Sequence, residues 1–367
     1  MMNNWKKYKL GEVVSWGNGK ERPKDKGPIP VYGGNGVLDY TNRNNYEGET
    51  VIVGRVGAYC GSVYYTNQSI WVSDNALAAK PKNGNDTKFL YYLLQHLNLN
   101  GYAEGSTHPL VTQRLLNSID VVIPPIVEQR RIAGVLSSLD DKIDLLNREN
   151  AALEALAETL FLHYFIENPD PTWKEGKLGD ILSVKGGTTP STNEPRFWNG
   201  NIAWTSPRDV TTLNGMYLFK TERTITEEGL AKISSGLLPA GTLLMSSRAP
   251  VGVLAFAEIP VAINQGYIAI IDDKGNPKEF IYLWLKENME AVHSYSNGST
   301  FMEISKTAFK SLDITIPDEE TINVFTALVK PFFKKIKSNQ QQMQTLTTQR
   351  DTLLPRLMSG EVKVKGQ

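Results

Sequence analysis

The chain contains a tandem duplication, and this feature limits its possible folds more than any other. The segment WKKYKLGEVVSWGNG begins at Trp5 and returns as WKEGKLGDILSVKGG at Trp173. The segment GSTHPLVTQRLLNSIDVVIPP begins at Gly105 and returns as GSTFMEISKTAFKSLDITIPD at Gly298. Repeats of this length predict two copies of one domain in tandem, because 367 residues exceed the usual size of a single core.

The second copy is longer than the first, and most of the extra residues fall in one polar, Gly-rich and aromatic stretch. This stretch lies between Gly19 and Arg55 in the first copy and between Gly187 and Arg248 in the second. A duplicated domain that changes length in one such stretch favours a variable function there. Neutral drift of a loop would give the same pattern.

Each copy ends in a segment with the heptad spacing of a coiled coil, and the first segment runs from Glu128 to Ile166. Two such helices in one chain most simply pack on each other, antiparallel if a pseudo-twofold axis relates the copies. The predicted seam positions are Ile132, Leu136, Leu139, Ile143, Leu146, Asn150 and Leu153, then Phe325, Val329, Phe332, Ile336, Asn339, Met343 and Leu346.

Polar residues and prolines interrupt these seams. Asn150 and Asn339 occupy seam positions, where a polar side chain usually sets register; a solvent-facing turn is the alternative. An interior proline removes a hydrogen bond and clashes with the preceding turn. We therefore expect a kink or restart at Pro331 and disturbed last turns at Pro355.

Short β-rich runs such as VIVGR, separated by Gly/Asn turns such as YGGNG, predict strands and hairpins in each globular copy. The predicted fold class is α+β: two tandem globular domains separated by two long helices, packed as an antiparallel coiled coil in a pseudo-twofold internal repeat. The predicted borders are residues 1–126 for the first domain, 127–168 for the first helix, 169–319 for the second domain, and 320–367 for the second helix and tail.

Composition narrows the class of protein. Lys+Arg and Asp+Glu both number 39, so the net charge does not attract DNA and only local basic patches could do so. The single cysteine, Cys60, excludes an internal disulfide, and four scattered histidines predict no metal site. No long apolar run or apolar leader is present, so a cytoplasmic protein is expected.

Catalytic motifs are missing from the sequence. Val14 stands where a phosphate-binding loop ending at Lys20 would need glycine, and no dinucleotide fingerprint follows a strand. Asp140 and Asp141 lie in the heptad segment, where a solvated helix face is favoured over paired catalytic carboxylates. The duplication and these absences favour a binding protein with no catalytic or metal-ligating residue.

The order of the motifs resembles that of the specificity (S) subunits of type I restriction-modification enzymes, over nearly the whole chain. The motifs are WKEGKLGDI, GGTTPST followed by FWNGNIAWTSPRDV, GST near the end of each domain, IPP-x-x-EQRRIAGVLSSLDDKI, and LLPRLMSGEVKV. The second copy departs from this pattern, because ETINVF from Glu320 replaces EQRRIA.

The resemblance implies that each domain is a target recognition domain for one half of a bipartite, asymmetric DNA site. It implies that the helices space the half-sites and dock two modification (methyltransferase) subunits, which restriction (motor-nuclease) subunits then join. S-adenosylmethionine, ATP and magnesium would bind to those partners and not to this chain. The alternatives are a specificity subunit of a related bifunctional restriction enzyme and a coiled-coil scaffold without DNA specificity.

Polar and cationic residues in the globular copies are the candidate DNA contacts, because such side chains contact base edges and phosphates. The candidates in the first copy are Lys20, Arg22, Asn35, Arg43, Arg55, Tyr59, Ser106, Thr107 and His108. Those in the second copy are Thr188, Thr189, Arg196, Trp204, Ser206, Arg208, Ser247, Arg248, Ser299 and Thr300. Structural alternatives are a salt bridge for Arg55 and Arg248, a helix cap for Ser106 and Thr107, and a core position for Trp204.

Overall fold

The computed structural model describes residues 4–105, 109–272, 274–296 and 302–364. Its contacts divide the chain into two units: unit 1 comprises residues 1–144 and 344–367, and unit 2 comprises residues 145–343. Each of the two long helices is therefore cut by the division, with one part in each unit.

Unit 1 combines small sheets with helices in the following order. Its elements are β1 (Lys6–Lys9), α1 (Leu10–Val13), β2 (Val14–Asn18), β3 (Ile29–Gly33), β4 (Gly36–Thr41), β5 (Thr50–Gly54), β6 (Val63–Thr66), β7 (Trp71–Val72), β8 (Ala76–Pro81), α2 (Thr87–His96), α3 (Gln113–Ser118), β9 (Asp120–Ile123) and the beginning of α4 (Ile126–Leu162). Short 3-10 turns span Gly57–Tyr59 and Leu99–Tyr102.

The apolar run of β5 explains the layers of unit 1. Val51, Ile52 and Val53 are all fully buried, because both faces of the strand are covered. Val51 and Val53 lie in the cluster that contains Phe89 and Leu90 of α2, whereas Ile52 lies in a second cluster with Val72 and Ala78. The four-stranded sheet β2-β8-β5-β6 is thus packed between helix α2 and the three-stranded sheet β4-β3-β7.

Unit 2 begins with the last part of α4, from residue 145, and a π-helical turn at His163–Glu167. Its elements are β10 (Lys174–Lys177), α5 (Leu178–Ile181), β11 (Ser183–Lys185), β12 (Trp198–Thr205), α6 (Pro207–Thr211), β13 (Tyr217–Leu218), β14 (Arg223–Ile225), α7 (Glu227–Leu230), β15 (Thr242–Ser246), β16 (Leu254–Ala257), β17 (Val261–Ile263), β18 (Tyr267–Asp272), α8 (Lys278–Glu287), α9 (Met289–Ser294), α10 (Lys306–Lys310), β19 (Asp313–Ile316) and α11 (Glu319–Met358), of which residues 344–358 belong to unit 1.

The duplication is visible in the strand orders. Sheets β2-β8-β5-β6, β4-β3-β7 and β1-β9 of unit 1 correspond to β11-β18-β15-β16, β14-β12-β17 and β10-β19 of unit 2. The extra residues of the second copy contribute β13, which extends its larger sheet beyond β16. The variable stretch therefore contains two of the three strands of each smaller sheet and, in the second copy, this added edge strand.

Gly19 and Gly187 end the repeated segments that begin at Trp5 and Trp173, and each lies where the larger sheet of its unit adjoins the smaller one. A Cβ atom on Gly19 would lie 1.7 Å from the Ser73 carbonyl oxygen, and one on Gly187 would lie 1.8 Å from the Ile263 carbonyl oxygen. Only glycine permits so close a backbone approach. In both units the chain thereby passes from the larger sheet onto the last strand of the smaller one.

Helix α11 is continuous from Glu319 to Met358. The restart expected at Pro331 is therefore wrong, and the helix also continues past Pro355 to Met358. Both prolines are exposed, as are Ala327 and Asp351, whose carbonyl groups lose their hydrogen-bond donors to the prolines. Water can satisfy carbonyls on an exposed helix face, so the helix continues.

The two long helices contact each other within each unit. In unit 2, the Asn339 side-chain amide donates to Asn150 Oδ1 and to Glu149 Oε2, both at 2.8 Å, and the rings of Phe161 and Phe325 lie 6.0 Å apart. In unit 1, Arg350 Nη1 lies 2.8 Å from Asp140 Oδ1. None of the predicted seam residues is on the exposed surface: each is buried or partly buried.

Candidate nucleic-acid interface

Three of the first-copy candidates lie around the turn between β3 and β4. Asn35 is exposed in this two-residue turn, and the carbonyl of its neighbour Gly34 accepts a hydrogen bond from Ser62, whose hydroxyl also contacts the carbonyl of Tyr59 at 2.7 Å. The turn packs against the end of β5, directly before Arg55. The structure thus brings Asn35, Arg55 and Tyr59 into one region of unit 1.

Two other first-copy cations are engaged in ion pairs beside the same sheet. Arg22 Nη2 lies 2.6 Å from Asp39 Oδ2, and Arg43 Nε lies 3.3 Å from Asp25 Oδ1. Hydrogen bonds from Lys26, the Tyr40 backbone and Arg22 hold the pKa of Asp39 far below its ordinary value. Both arginines are exposed but already hold a carboxylate, so contact with a phosphate would require each to give up this pair. Lys20, which follows β2, is exposed.

Arg55 and Arg248 follow equivalent strands but have different surroundings. Arg248 Nε lies 3.1 Å from Glu303 Oε1, which is the salt bridge considered for it. Arg55 is partly buried, and no acidic or hydrogen-bonding partner for its guanidinium occurs among residues 4–105, 109–272, 274–296 and 302–364. Arg55 is therefore the better placed of the two to contact a ligand.

Most hydroxyl candidates of the second copy make internal hydrogen bonds. Thr188 Oγ1 donates to the Lys232 carbonyl at 2.7 Å, and Thr189 Oγ1 donates to Gln265 Oε1 at 2.7 Å. Ser206 precedes α6, where its backbone N–H donates to Asp209 Oδ2 at 2.9 Å. These side chains shape the loops, and Thr189 is exposed.

Two second-copy candidates are wrong because their side chains are buried. Trp204 is 5% exposed and packs perpendicular to Trp198, with ring centroids 5.0 Å apart. Ser247 is 3% exposed, at the end of an apolar strand. Trp204 thus has the core position that was its alternative, and neither residue presents a surface to DNA.

The remaining arginine candidates of the second copy, Arg196 and Arg208, are exposed and form ion pairs with glutamates. Arg196 Nε lies 3.2 Å from Glu194 Oε2, and Arg208 Nε lies 3.5 Å from Glu222 Oε2. Five candidates lie outside the described residues: Ser106, Thr107, His108, Ser299 and Thr300.

Arg223, which the sequence reasoning missed, is the most distinctive cation of unit 2. Its guanidinium carbon lies 3.4 Å from the ring centroid of Trp198 and 5.6 Å from that of Trp204. The segment TERTI carries no motif that would have identified it, and Trp198 is distant in sequence. Only the pairing of β12 with β14 brings the two residues together.

Neither a metal-binding cluster nor a membrane-spanning helix is formed by the described part of the chain. It contains no cluster of three or more His, Cys, Asp or Glu side chains that could hold a metal ion. None of its helices is both long and apolar enough to cross a membrane. Burial raises the pKa of the Cys60 thiol, which keeps this lone cysteine protonated.

Comparison with known proteins gives a consistent family. The specificity subunit of the type I restriction enzyme MjaIX from Methanocaldococcus jannaschii is 34% identical over 191 residues, or 52% of this chain and 44% of that subunit. The HindI specificity subunit from Haemophilus influenzae is 23% identical over 356 residues, covering 75% of this chain and 77% of that subunit. The match to the MjaIX subunit thus spans less than half of that protein's length.

A solved structure shares the fold. The S subunit of the type I restriction-modification system from M. genitalium superposes with a TM-score of 0.67 at 19% identity, covering 99% of this chain and 97% of that one. The family model described as the type I restriction modification DNA specificity domain matches residues 2–155 and 171–348. The chain therefore belongs to the family of type I restriction-modification specificity subunits, and each of its two copies contains one DNA specificity domain.

Proposed function

We propose that this chain recognises a bipartite, asymmetric DNA site, with one half-site read by each domain, and that it catalyses no reaction itself. The observation that carries the proposal is the repeated strand order with different surface groups on the smaller sheets. Unit 1 presents Asn35, Tyr59 and an unpaired Arg55 beside its sheet, whereas unit 2 presents Arg223 stacked on Trp198. Equivalent scaffolds with different donors would read different base pairs.

We further propose that the two long helices form an antiparallel coiled coil that sets the spacing between the half-sites. The order of contacts in unit 2 supports opposite directions: Asn150 meets Asn339, whereas Phe161, farther along α4, meets Phe325, nearer the start of α11. The Asn150–Asn339 pair supports a register-setting role for these polar seam residues. The domain borders proposed from the sequence remain 1–126, 127–168, 169–319 and 320–367.

The complex would supply the chemistry that this chain lacks. Two modification subunits would dock on the helices, and restriction subunits would join them in the cytoplasm. S-adenosylmethionine, ATP and magnesium would bind to these partners. This arrangement is supported by family membership.

The test is base-resolved methylation of the host genome with this gene intact and deleted. Loss of one interrupted, asymmetric methylated motif on deletion would support the proposal and reveal the site. If the complex with its modification subunit bound DNA without sequence preference, the chain would instead be an assembly scaffold. Copurification with a fused methyltransferase-nuclease would identify the related bifunctional system.

Replacing Arg55 with Gln tests the assignment of the half-sites. The change should weaken recognition of one half-site and leave the other half-site and the spacer length unchanged. Equal loss at both half-sites would contradict a direct contact by Arg55.

A further inference from the structure

We propose that Arg223 reads a guanine in the half-site of the second domain, as a planar donor held against Trp198. The inference rests on the proposed function, since it names the base that one domain recognises. Three features support it: the Arg223–Trp198 stack, the lack of a carboxylate paired with Arg223 among the described residues of unit 2, and the cations near the stack.

The platform beneath Arg223 is rigid. Trp198 and Trp204 lie on β12, are 6% and 5% exposed, and meet at an interplanar angle of 88°. The Trp198 indole N–H donates to the Ser191 carbonyl at 3.0 Å, which restrains the rotation of its ring. Arg223 is the register partner of Trp204, and its strand β14 is the edge of the sheet β14-β12-β17. The guanidinium therefore rests on a buried, hydrogen-bonded ring.

The charge of Arg223 is not neutralised locally. Arg196, Arg208 and Arg248 each pair with a glutamate at 3.1 to 3.5 Å. Arg223 is exposed and has no acidic partner within the described part of unit 2. The glutamate next to it in sequence, Glu222, pairs with Arg208 instead. A stacked arginine keeps the edges of its guanidinium available for hydrogen bonds. Its donors are thus available to a ligand.

Two further cations lie over the neighbouring aromatic ring of Phe197. The guanidinium carbon of Arg196 lies 5.0 Å from the ring centroid, and Lys232 Nζ lies 6.0 Å from it. We call Arg196, Phe197, Trp198, Arg223 and Lys232 the cation–aromatic patch. Arg196 is also paired with Glu194 and Glu228, so the charges of this patch that can contact the phosphates flanking a recognised base are those of Arg223 and Lys232.

A guanine fits the stacked geometry better than a phosphate does. Stacking restricts the plane of the guanidinium, and two coplanar donors match the O6 and N7 acceptors that guanine presents in the major groove. An arginine can also bind a phosphate with two donors, but a phosphate does not require a fixed guanidinium plane, so the stack adds less to that contact. In unit 1 the equivalent edge strand β4 exposes Val37, Leu38 and Tyr40. The first half-site is therefore expected to lack an equivalent arginine-read guanine at this position.

The experiment separates base reading from phosphate contact. The chain is coexpressed with its modification subunit as wild type, Arg223→Lys and Arg223→Gln, and methylation is sequenced on a DNA library with both half-sites randomised. Lysine keeps the charge and can remain over Trp198 but loses the planar pair of donors. Lys310→Gln on α10 is the control for loss of one exposed cation from unit 2.

Arg223→Lys is expected to reduce discrimination at one G·C pair in one half-site by about tenfold to a hundredfold, with the other half-site unchanged. The Lys310→Gln variant should retain the wild-type motif. A wild-type motif in Arg223→Lys with uniformly weaker methylation in Arg223→Gln would identify a phosphate contact and overturn the proposal. Loss spread over both half-sites in Arg223→Lys would also overturn it. If wild-type protein itself gave no bipartite motif, the proposed function would fail as well.

Discussion

Replacement of Gln340 by methionine should loosen the attachment of β13 in unit 2. β13 forms the edge of its sheet, and the backbone N–H and carbonyl of Tyr217 point away from the neighbouring strand. The Gln340 side chain accepts from the Tyr217 N–H at 3.0 Å and donates to the Tyr217 carbonyl at 2.6 Å. Its amide thus takes the place of one more strand residue. Gly215, at a φ of +123°, allows the close approach, because a Cβ atom there would lie 2.5 Å from Gln340 Oε1.

The expected magnitude follows from the two backbone groups that would lose their partners. Gln340 is 1% exposed, and methionine has a similar size but offers no amide. Each unsatisfied buried group costs about 1–3 kcal/mol, so the free energy of detaching β13 should fall by roughly 2–6 kcal/mol if the two costs add. A change of about 2 kcal/mol already makes the detached state about thirtyfold more populated.

Hydrogen–deuterium exchange of the whole chain is the appropriate assay, because global unfolding of two units need not be two-state. Exchange should accelerate in peptides covering residues 213–220 and remain unchanged in unit 1. Gln342→Met, on an exposed face of the same helix, is the matched control and should behave like wild type. If Gln340→Met altered exchange no more than this control, the hydrogen bonds to Tyr217 would not be what holds β13.

Three further changes test other contacts. Gly187→Ala should destabilise unit 2 by about 1–3 kcal/mol, because its Cβ would collide with the adjoining strand. Gly134→Ala in α4 meets no atom within 4 Å and should stabilise the chain by about 0.5–1 kcal/mol. Thermal unfolding shows whether the two changes in stability have opposite signs. A double-mutant cycle of Asp140→Asn and Arg350→Gln in unit 1 should give a coupling energy of about 0.5 kcal/mol or more, and additive effects would contradict the ion pair. Hydrogen bonds from the backbone and side chain of Thr321 and from Trp173 lower the pKa of Asp318 from 3.8 to about 2. The ionised carboxylate therefore stabilises the folded chain fully above about pH 4, and this contribution is lost as the pH falls through 2. In an acid titration, the difference in stability between wild type and Asp318→Asn should shrink over that range, and a constant difference would refute the assignment.

Features with a period or a repeat could be predicted from the sequence. The duplication indicated two domains of one kind, and the heptad spacing predicted inward-facing helix positions such as Leu136 and Phe325, both of which are fully buried. These inferences succeed because periodicity along the chain becomes proximity in space whenever a helix forms. The site residues depend instead on contacts between strands distant in sequence. Arg223 reaches Trp198 only through strand pairing, and nothing adjacent to Ser247 in sequence shows that its side chain is buried.

The prediction that α11 would restart at Pro331 was wrong because the effect of a proline also depends on contacts that the local sequence does not show. An interior proline has a known local cost, but its effect depends on which face of the helix carries the freed carbonyl. At Pro331 this face is exposed, so solvent can replace the missing donor. Gln340 illustrates the opposite case: a residue type common on helix surfaces is buried because an inserted strand covers it.

The division of the chain into units has a consequence for the order in which the protein folds during synthesis. Unit 2 is one continuous stretch, residues 145–343, and can be completed as soon as that stretch has left the ribosome. Unit 1 is made first, yet its core includes Leu357 and Met358, which pack in the same cluster as Ile132 and Leu136. Until residues 344–367 emerge, this cluster lacks part of its apolar cover. The domain translated first is therefore the one that is completed last.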